Sequence, residues 1–267
     1  MNTPLVSVIM GIYNCADSLN ACIGSLLAQT YTNWELIMCD DCSTDNTYEV
    51  AKSISEKHSN ITVIRNPENK KLAYSLNACL ALAKGEYVAR MDADDLCMPE
   101  RFEKQVAFLQ AHPYIDVVGS AIIIYDENGD RETREISEFP VARDLIRSTT
   151  FFHPTIMMKK SCYDALGGYT VAKRTRKGQD VDLWFRFFAN GYKGANIKDP
   201  LLKYHDGLFD YKKKRKFRYS WDMTKTRLIG FRNNKFPIHL YPLAFRPIIS
   251  VMVPSKIIQF YHKKRRR

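Results

Sequence analysis

Gly85-Glu-Tyr-Val-Ala-Arg-Met-Asp92-Ala-Asp94-Asp95-Leu-Cys-Met-Pro99-Glu100 is the stretch whose reading decides the fold. Gly85 is expected to close a helix as its C′ residue. Residues 86–91 then read as a buried strand, and Pro99 opens the next helix, where its missing N–H does no harm. A strand that ends in acids places them at the carboxyl edge of a sheet, where open α/β folds bind ligands. An isolated Asp-x-Asp is more often an acidic turn with an N-cap. Here three carboxylates crowd into four residues, and they repel one another unless a cation or a substrate compensates them. Mg2+ and Mn2+ take carboxylates together with substrate phosphates. The stretch reads as a metal–diphosphate site.

On either side of it, short apolar strands alternate with amphipathic helices. Residues 6–10 form a first, central strand, and Gly11-Ile-Tyr13-Asn14 is its loop. Leu19, Cys22, Ile23, Leu26 and Leu27 recur at helical spacing, with Asp17 or Ser18 near the N-cap. Residues 35–39 are a second strand that ends in Asp40-Asp41. A helix through Val50, Ala51 and Ile54 follows, then a strand at 61–64 and a helix over 72–84. After the acidic stretch, Phe102, Val106 and Leu109 mark a helix, and 117–125 is a strand closed by the turn Asp126-Glu-Asn-Gly129. Residues 155–158 are a strand before a helix that ends at Gly167-Gly168. A helix over 180–190 carries Leu183, Trp184, Phe187 and Phe188 on one face, and 201–205 is a last short strand. This alternation predicts an α/β fold with a mainly parallel, doubly wound sheet. A boundary near residue 210 divides a catalytic body, 1–210, from a basic extension, 211–267.

Composition narrows the class. The chain has 267 residues, 45% apolar and 26% charged, which is ordinary for a globular protein. No run of about 18 apolar residues appears, so no segment is expected to span a bilayer. The first residues lack a basic region before an apolar one, so no signal peptide is expected. Seven cysteines without framework spacing suit a reducing cytosol. The net charge of +11 is uneven. Residues 200–267 carry 18 Lys and Arg against Asp206, Asp210 and Asp222, a balance of +15, and the first 199 residues balance at −4. A mildly acidic body with a basic tail suggests a tail that meets an anionic surface.

Asp40-Asp41 gives the sheet edge a second acidic site. One carboxylate there can accept the N3–H of uracil or thymine, or the N1–H and N2–H of guanine, with Tyr13 stacked on the same base. No G-x-G-x-x-G follows a strand and no G-x-x-x-x-G-K-[ST] occurs, so phosphate must be held by metal and basic side chains. Cys39-x-x-Cys42 has two acids between its thiols and no second pair, which argues against both redox work and zinc. Asp180 and Asp182 open an amphipathic helix on different faces. One is free to cap the helix while the other reaches a cleft.

Five motifs now stand in order: Val6-Ser-Val-Ile-Met-Gly-Ile-Tyr-Asn14, Asp40-Asp-Cys-Ser-Thr-Asp45, Gly85-Glu-Tyr with Asp92-Ala-Asp94-Asp95, His153-Pro-Thr, and Gln179-Asp180-x-Asp-Leu-Trp184. Over roughly residues 4–210 the chain resembles family 2 glycosyltransferases. The resemblance implies the GT-A fold, a nucleoside diphosphate sugar donor (expected to be a UDP-sugar), a divalent metal (Mn2+ or Mg2+) and inversion at the anomeric carbon. By position, Asp41 resembles the base-binding Asp. Asp92 and Asp94 resemble the Asp-x-Asp pair of the ribose side and the metal–diphosphate, with Asp95 beside them. Asp180 resembles the catalytic base, and His205 the histidine that completes the metal shell with Asp94. Three departures stand out: Gln179 where Glu is usual, Lys71 where Gly is frequent after Asn69, and Asp206-Gly-Leu-Phe-Asp210 in place of a polar run. The acceptor implied is a glycan or a lipid-linked saccharide hydroxyl.

Two other classes compete. A phosphatase-type hydrolase also uses Asp-x-Asp, but on the first strand and with Thr or Val where Leu96 stands. A nucleic-acid- or membrane-binding protein with a non-catalytic nucleotide-sugar fold is suggested by 212–216 and 263–267. Carboxylates fill the clefts of the body, so nucleic acid is not the expected partner. The tail instead combines apolar residues, from Phe236 to Phe260, with four prolines that forbid one long spanning helix. It is expected to dock on an anionic membrane surface, which makes the enzyme cytoplasmic and peripheral on the inner face of the cell membrane. The bland alternative is that these apolar residues pack under the body.

Overall fold

The computed structural model describes residues 3–206 and 217–252. The basic clusters at 212–216 and 263–267, the boundary near 210, and Val253, Ile257, Ile258 and Phe260 lie outside the described residues. In chain order the elements are β1 (Val6–Ile12), α1 (Ala16–Leu27), β2 (Trp34–Asp40), α2 (Thr47–Ser55), β3 (Ile61–Arg65), α3 (Leu72–Leu82), β4 (Tyr87–Arg90), β5 (Leu96–Cys97) and α4 (Arg101–Ala111). There follow β6 (Val117–Asp126), β7 (Gly129–Arg134), β8 (Met157–Lys159), α5 (Lys160–Leu166), α6 (Gln179–Ala189), β9 (Gly194–His205), α7 (Phe217–Asn233) and α8 (Arg246–Met252).

The sheet runs β3-β2-β1-β4-β8-β6-β9-β5, with β7 paired to β6. Its first four strands are parallel. Beyond β4 it becomes mixed, since β8 is antiparallel to both β4 and β6 while β9 is parallel to β6. β1 lies between β2 and β4, so the strand order reverses there. Alternate residues of β1 divide the core between two faces. Val6, Val8 and Met10 pack with Leu19, Ile23, Ala51 and Phe102 of α1, α2 and α4. Ile9 packs with Leu76, Tyr163 and Leu183 of α3, α5 and α6. Each such side chain, fully buried, contributes about 1.5–3 kcal/mol.

Several local expectations are corrected. Gly85 is not a left-handed C′ residue. α3 ends earlier, and its C-cap Ala83 is extended. A Cβ at Gly85 would stand 2.5 Å from the Leu5 carbonyl oxygen and 2.7 Å from the Ser7 nitrogen, so close approach is what requires glycine. The α1 cap position is Cys15, neither Asp17 nor Ser18, and it makes no side-chain cap bond. Pro99 precedes the α4 cap position, Glu100, instead of opening the helix. β9 is twelve residues long, not a short strand at 201–205. Its first half, with Lys198-Asp199-Pro200, lacks an apolar run, and its register against β6 shifts near Pro200.

α7 lies against α6 and the 3-10 segment Ile238–Phe245 packs on α7, where Phe231, Phe236, Leu240, Tyr241 and Leu243 join the second core face. Part of the apolar surface assigned to a membrane is therefore spent inside the protein. Ile238, Phe245, Ile249 and Met252 remain exposed.

Gly85→Ala is expected to cost about 1–3 kcal/mol through overpacking against β1, read as a lower urea midpoint with an unchanged m-value.

Candidate active site

The β1 and β2 ends meet at one edge. The Asp41 N–H donates to the Ile12 carbonyl at 2.9 Å, and the Asn14 N–H donates to the Ser43 hydroxyl at 3.0 Å. Tyr13 and Asp41 are thereby neighbours, with the Tyr13 ring exposed. Asp40 is a structural acid, paired with Arg65 at 3.0 Å. Asp41 is buried and accepts from Asn66 Nδ2 and from the backbone N–H of Lys70 and Lys71, each at 2.8 Å. A carboxylate has about four acceptor sites, so one remains open. Cys39 lies on the core side, where burial raises its thiol pKa to about 11, and all seven cysteines are free.

β4 ends in a cation before its acids. Arg90 is 2% exposed, and its Nη1 lies 2.5 Å from Asp92 Oδ1. β5 then pairs antiparallel with β9 and presses the acidic turn against the end of that strand. The His205 N–H reaches Asp95 Oδ1 at 3.0 Å, and the Tyr125 hydroxyl donates to the Asp94 carbonyl at 2.8 Å. Asp95 is fully buried, and its Oδ2 has no hydrogen-bond partner. Burial, then Asp92 and Asp94, push its pKa well above the carboxylate range. Asp94 is exposed at the rim, yet the surrounding protein and then Asp92 push its pKa up, with His205 opposing. The His205 ring lies 5.2 Å from Tyr125, centroid to centroid, and its Nε2 is 3.7 Å from Glu127.

α6 supplies the opposite wall. Gly178, at its N-cap, has φ 113°, a conformation that favours glycine. α6 has no side-chain cap, so neither acid plays that part. Asp182 is buried by Thr170 (2.6 Å), Arg186 (2.9 Å) and Arg174. Burial pushes its pKa up, but these partners outweigh burial and hold it below the usual range. Asp180 has no such partners, and its pKa rises, first from burial and further from Asp92.

Asp180 and Asp92 open on one cleft of about 370 Å3, shared with Arg90, Gln179, Leu72, His153 and Tyr204. Ile122, Ile124, Phe151, Phe152 and Pro154 form its apolar wall. Tyr13, Asp41, Asp94, Asp95 and His205 do not line that cleft, although Asp94 and Asp95 adjoin it through the turn from Asp92. Sequence reasoning gave no role to Arg90 or His153. Arg90 carried a signal, a charge inside an apolar strand that must be paired if buried. His153 is held neutral, its pKa driven well down by burial and then by Arg90, and its Nε2 lies 3.0 Å from the Tyr169 hydroxyl.

The sequence profile of Glycosyl transferase family 2 matches residues 7–175. The chain belongs to this family. Among its relatives, EpsE of Bacillus subtilis (strain 168), named as a glycosyltransferase, is 45% identical over 263 residues, 98% of this chain and 94% of EpsE. WfaP of Escherichia coli, named as a UDP-Glc:alpha-D-GlcNAc-diphosphoundecaprenol beta-1,3-glucosyltransferase, is 29% identical over 76% of this chain and 78% of its own. The solved structure of S. aureus TarS 1–349 with UDP-GlcNAc superposes at a TM-score of 0.72, with 18% identity, over 92% of this chain and 72% of that one. Mannosyltransferase PcManGT of Pyrobaculum calidifontis, with GDP-Man and Mn2+, superposes at 0.69, with 20% identity, over 94% and 74%. The fold is thus GT-A, and this family 2 member is a glycosyltransferase.

The two α6 acids are expected to respond oppositely to neutralisation. Asp182 has a lowered folded pKa, so its stabilisation is present above the ordinary carboxylate pKa of about 3.9 and is lost as pH falls below it. Asp182→Asn at pH 7 should cost about 3–5 kcal/mol by stranding Arg174 and Arg186. Asp180 has a raised folded pKa, so ionising it destabilises the fold as pH rises through that pKa. Asp180→Asn should raise Tm at pH 7 and leave it unchanged near pH 3. Thermal scans across pH read both.

Proposed function

We propose that this glycosyltransferase moves a sugar from a UDP-sugar to a hydroxyl of a glycan or lipid-linked saccharide, with inversion and with a divalent metal. The observation that carries the reading is the convergence of Asp92 and Asp180 on one cleft, beside the point where strand order reverses, the place where open α/β sheets bind ligands. Tyr13 stacks on the uracil, and the free acceptor site of Asp41 takes its N3–H. Asp92 faces the ribose side, fixed by Arg90. Asp180, made more basic by burial, takes the proton of the acceptor hydroxyl as that oxygen attacks the anomeric carbon and the bond to the diphosphate breaks. The apolar wall of the cleft keeps water from competing for the sugar.

The residues present fit a hard cation. Three carboxylates face one buried arginine, and Asp95 Oδ2 lacks a partner. No three His, Cys, Asp or Glu among the described residues are grouped to hold a metal by themselves, so Asp94 and His205 would hold it together with donor phosphate oxygens. When bound, Mn2+ or Mg2+ supplies neutralisation of charge on the departing nucleoside diphosphate. The UDP-GlcNAc complex of TarS, the Mn2+ complex of PcManGT and the name of WfaP support donor, metal and acceptor class.

Two variants test this reading. Asp94→Asn should abolish Mn2+-dependent UDP binding in calorimetry, and Asp180→Asn should keep that binding while turnover falls about 10²–10⁴-fold. Unchanged UDP affinity in the first, or full turnover in the second, sinks the corresponding role.

In this reading residues 1–210 carry the chemistry and 211–267 bring the enzyme to an anionic bilayer. Exposed Phe217, Trp221, Ile238, Ile249 and Met252 support it, and no helix among the described residues is long and apolar enough to cross a membrane. Full-length protein should float with anionic vesicles at low salt and lose them at high salt. Indifference to anionic lipid at low salt removes the proposal.

A further inference from the structure

A second pocket, about 300 Å3, lies between the loop that enters α3 and the 3-10 turn Lys173–Thr175. Lys70, Lys71, Lys173 and Arg176 line it, with Asn69 and Thr175. Lys70 is paired with Glu68. Lys173 and Arg176 are exposed and make no ion pair among the described residues.

Both walls are fixed from behind. On one side, Asp41 accepts the backbone N–H of Lys70 and Lys71, and Lys71 takes φ 75° at the N-cap of α3. A side chain there is strained where glycine is not, and α3 begins without a side-chain cap, although its Tyr74 N–H already donates to the Lys71 carbonyl at 3.0 Å. On the other side, Arg174 is bound to Asp182 and the Thr175 hydroxyl donates to the Thr170 carbonyl at 2.6 Å. That anchoring leaves Lys173 and Arg176 facing the pocket. Lys173 and Arg176, without ion pairs, face Lys71, whose Nζ donates to Asn69 Oδ1 at 2.6 Å, and together they make a receptor for a compact polyanion.

We infer that this pocket receives the diphosphate of the acceptor, an inference that rests on the proposed transfer reaction. A diphosphate has two sources here, donor and acceptor, and position favours the acceptor. None of Tyr13, Asp41, Asp92 or Asp94 lines the pocket. Its 172–176 wall leads within four residues to Asp180, the group that must meet the acceptor hydroxyl. Leu72 lines the catalytic cleft, while its chain neighbours Lys71 and Ala73 line the pocket, so the two adjoin at the start of α3.

The test is calorimetry on the full chain and on Lys173→Ala/Arg176→Ala, whose exposed positions leave the core untouched. Inorganic pyrophosphate in EDTA should bind the wild type and bind the double variant about tenfold more weakly. UDP with Mn2+ should bind both within twofold. Equal pyrophosphate affinity in the two proteins, or no binding by the wild type, overturns the site. Loss of UDP affinity by the same factor assigns the pocket to the donor and overturns the inference. Failure of the transfer reading is seen separately, as absence of Mn2+-dependent UDP binding in the wild type.

Discussion

The ion pair between Arg90 and Asp92 is the interaction on which the site depends. A buried guanidinium costs several kcal/mol unless it is paired and hydrogen-bonded, and Arg90 is enclosed by β4, β8 and the 3-10 turn His153–Thr155. Arg101, also buried, donates to the Arg90 carbonyl at 2.9 Å and to Gln105 Oε1 at 3.1 Å, so the strand end is gripped from α4 as well. Asp92 is thereby fixed, while burial and then the neighbouring carboxylates push the pKa values of Asp94 and Asp95 up, with Arg90 opposing. The same positive charge helps keep His153 neutral. One buried cation thus acts on both walls of the cleft, on top of the larger effect of burial.

α6 shows how one turn of helix separates structure from chemistry. Asp180 and Asp182 are two residues apart and so face different ways. Asp182 turns to Arg174, Arg186 and Thr170 and ties α6 to the segment before it. Asp180 on the cleft has only backbone N–H groups to oppose its burial, so ionisation is unfavourable and basicity is correspondingly raised. A buried carboxylate without a cation beside it weakens the fold when ionised, a cost common at working sites. Gly178 makes the arrangement possible, since its left-handed backbone starts α6 with Asp180 in the first turn.

Much of this was legible in the sequence because it is periodic. The parallel unit β3-β2-β1-β4 follows from short apolar runs between helical stripes, and acids at the ends of β2 and β4 mark the ligand edge. What escaped was set by tertiary contact. β5 is two residues long and carries no period, yet it brings His205 to Asp95. Gly85 reads as a helix stop because glycine is usual there, while the contact that demands it comes from β1 across the sheet. Asp182 and Asp180 are alike in sequence, and only the position of Arg174 and Arg186 tells them apart. His153 gave no sign of its neutral state, which depends on a buried arginine 63 positions earlier in the chain.

The region after β9 is packed against the helix that carries Asp180. Asn234 Nδ2 donates to the Phe185 carbonyl of α6 at 2.9 Å, and Gly230 lies so close to the Phe185 ring that no side chain fits between. Arg227 donates to the Ile146 carbonyl at 2.7 Å, and Thr226 is linked to Arg174, the partner of Asp182. α7 is therefore locked to the helix that carries Asp180, by backbone acceptors as well as by apolar packing. Exposed Trp221, Ile238 and Ile249 ride on that rigid unit. The packing of α7 on α6 therefore fixes where the exposed side chains of α7 lie relative to Asp180.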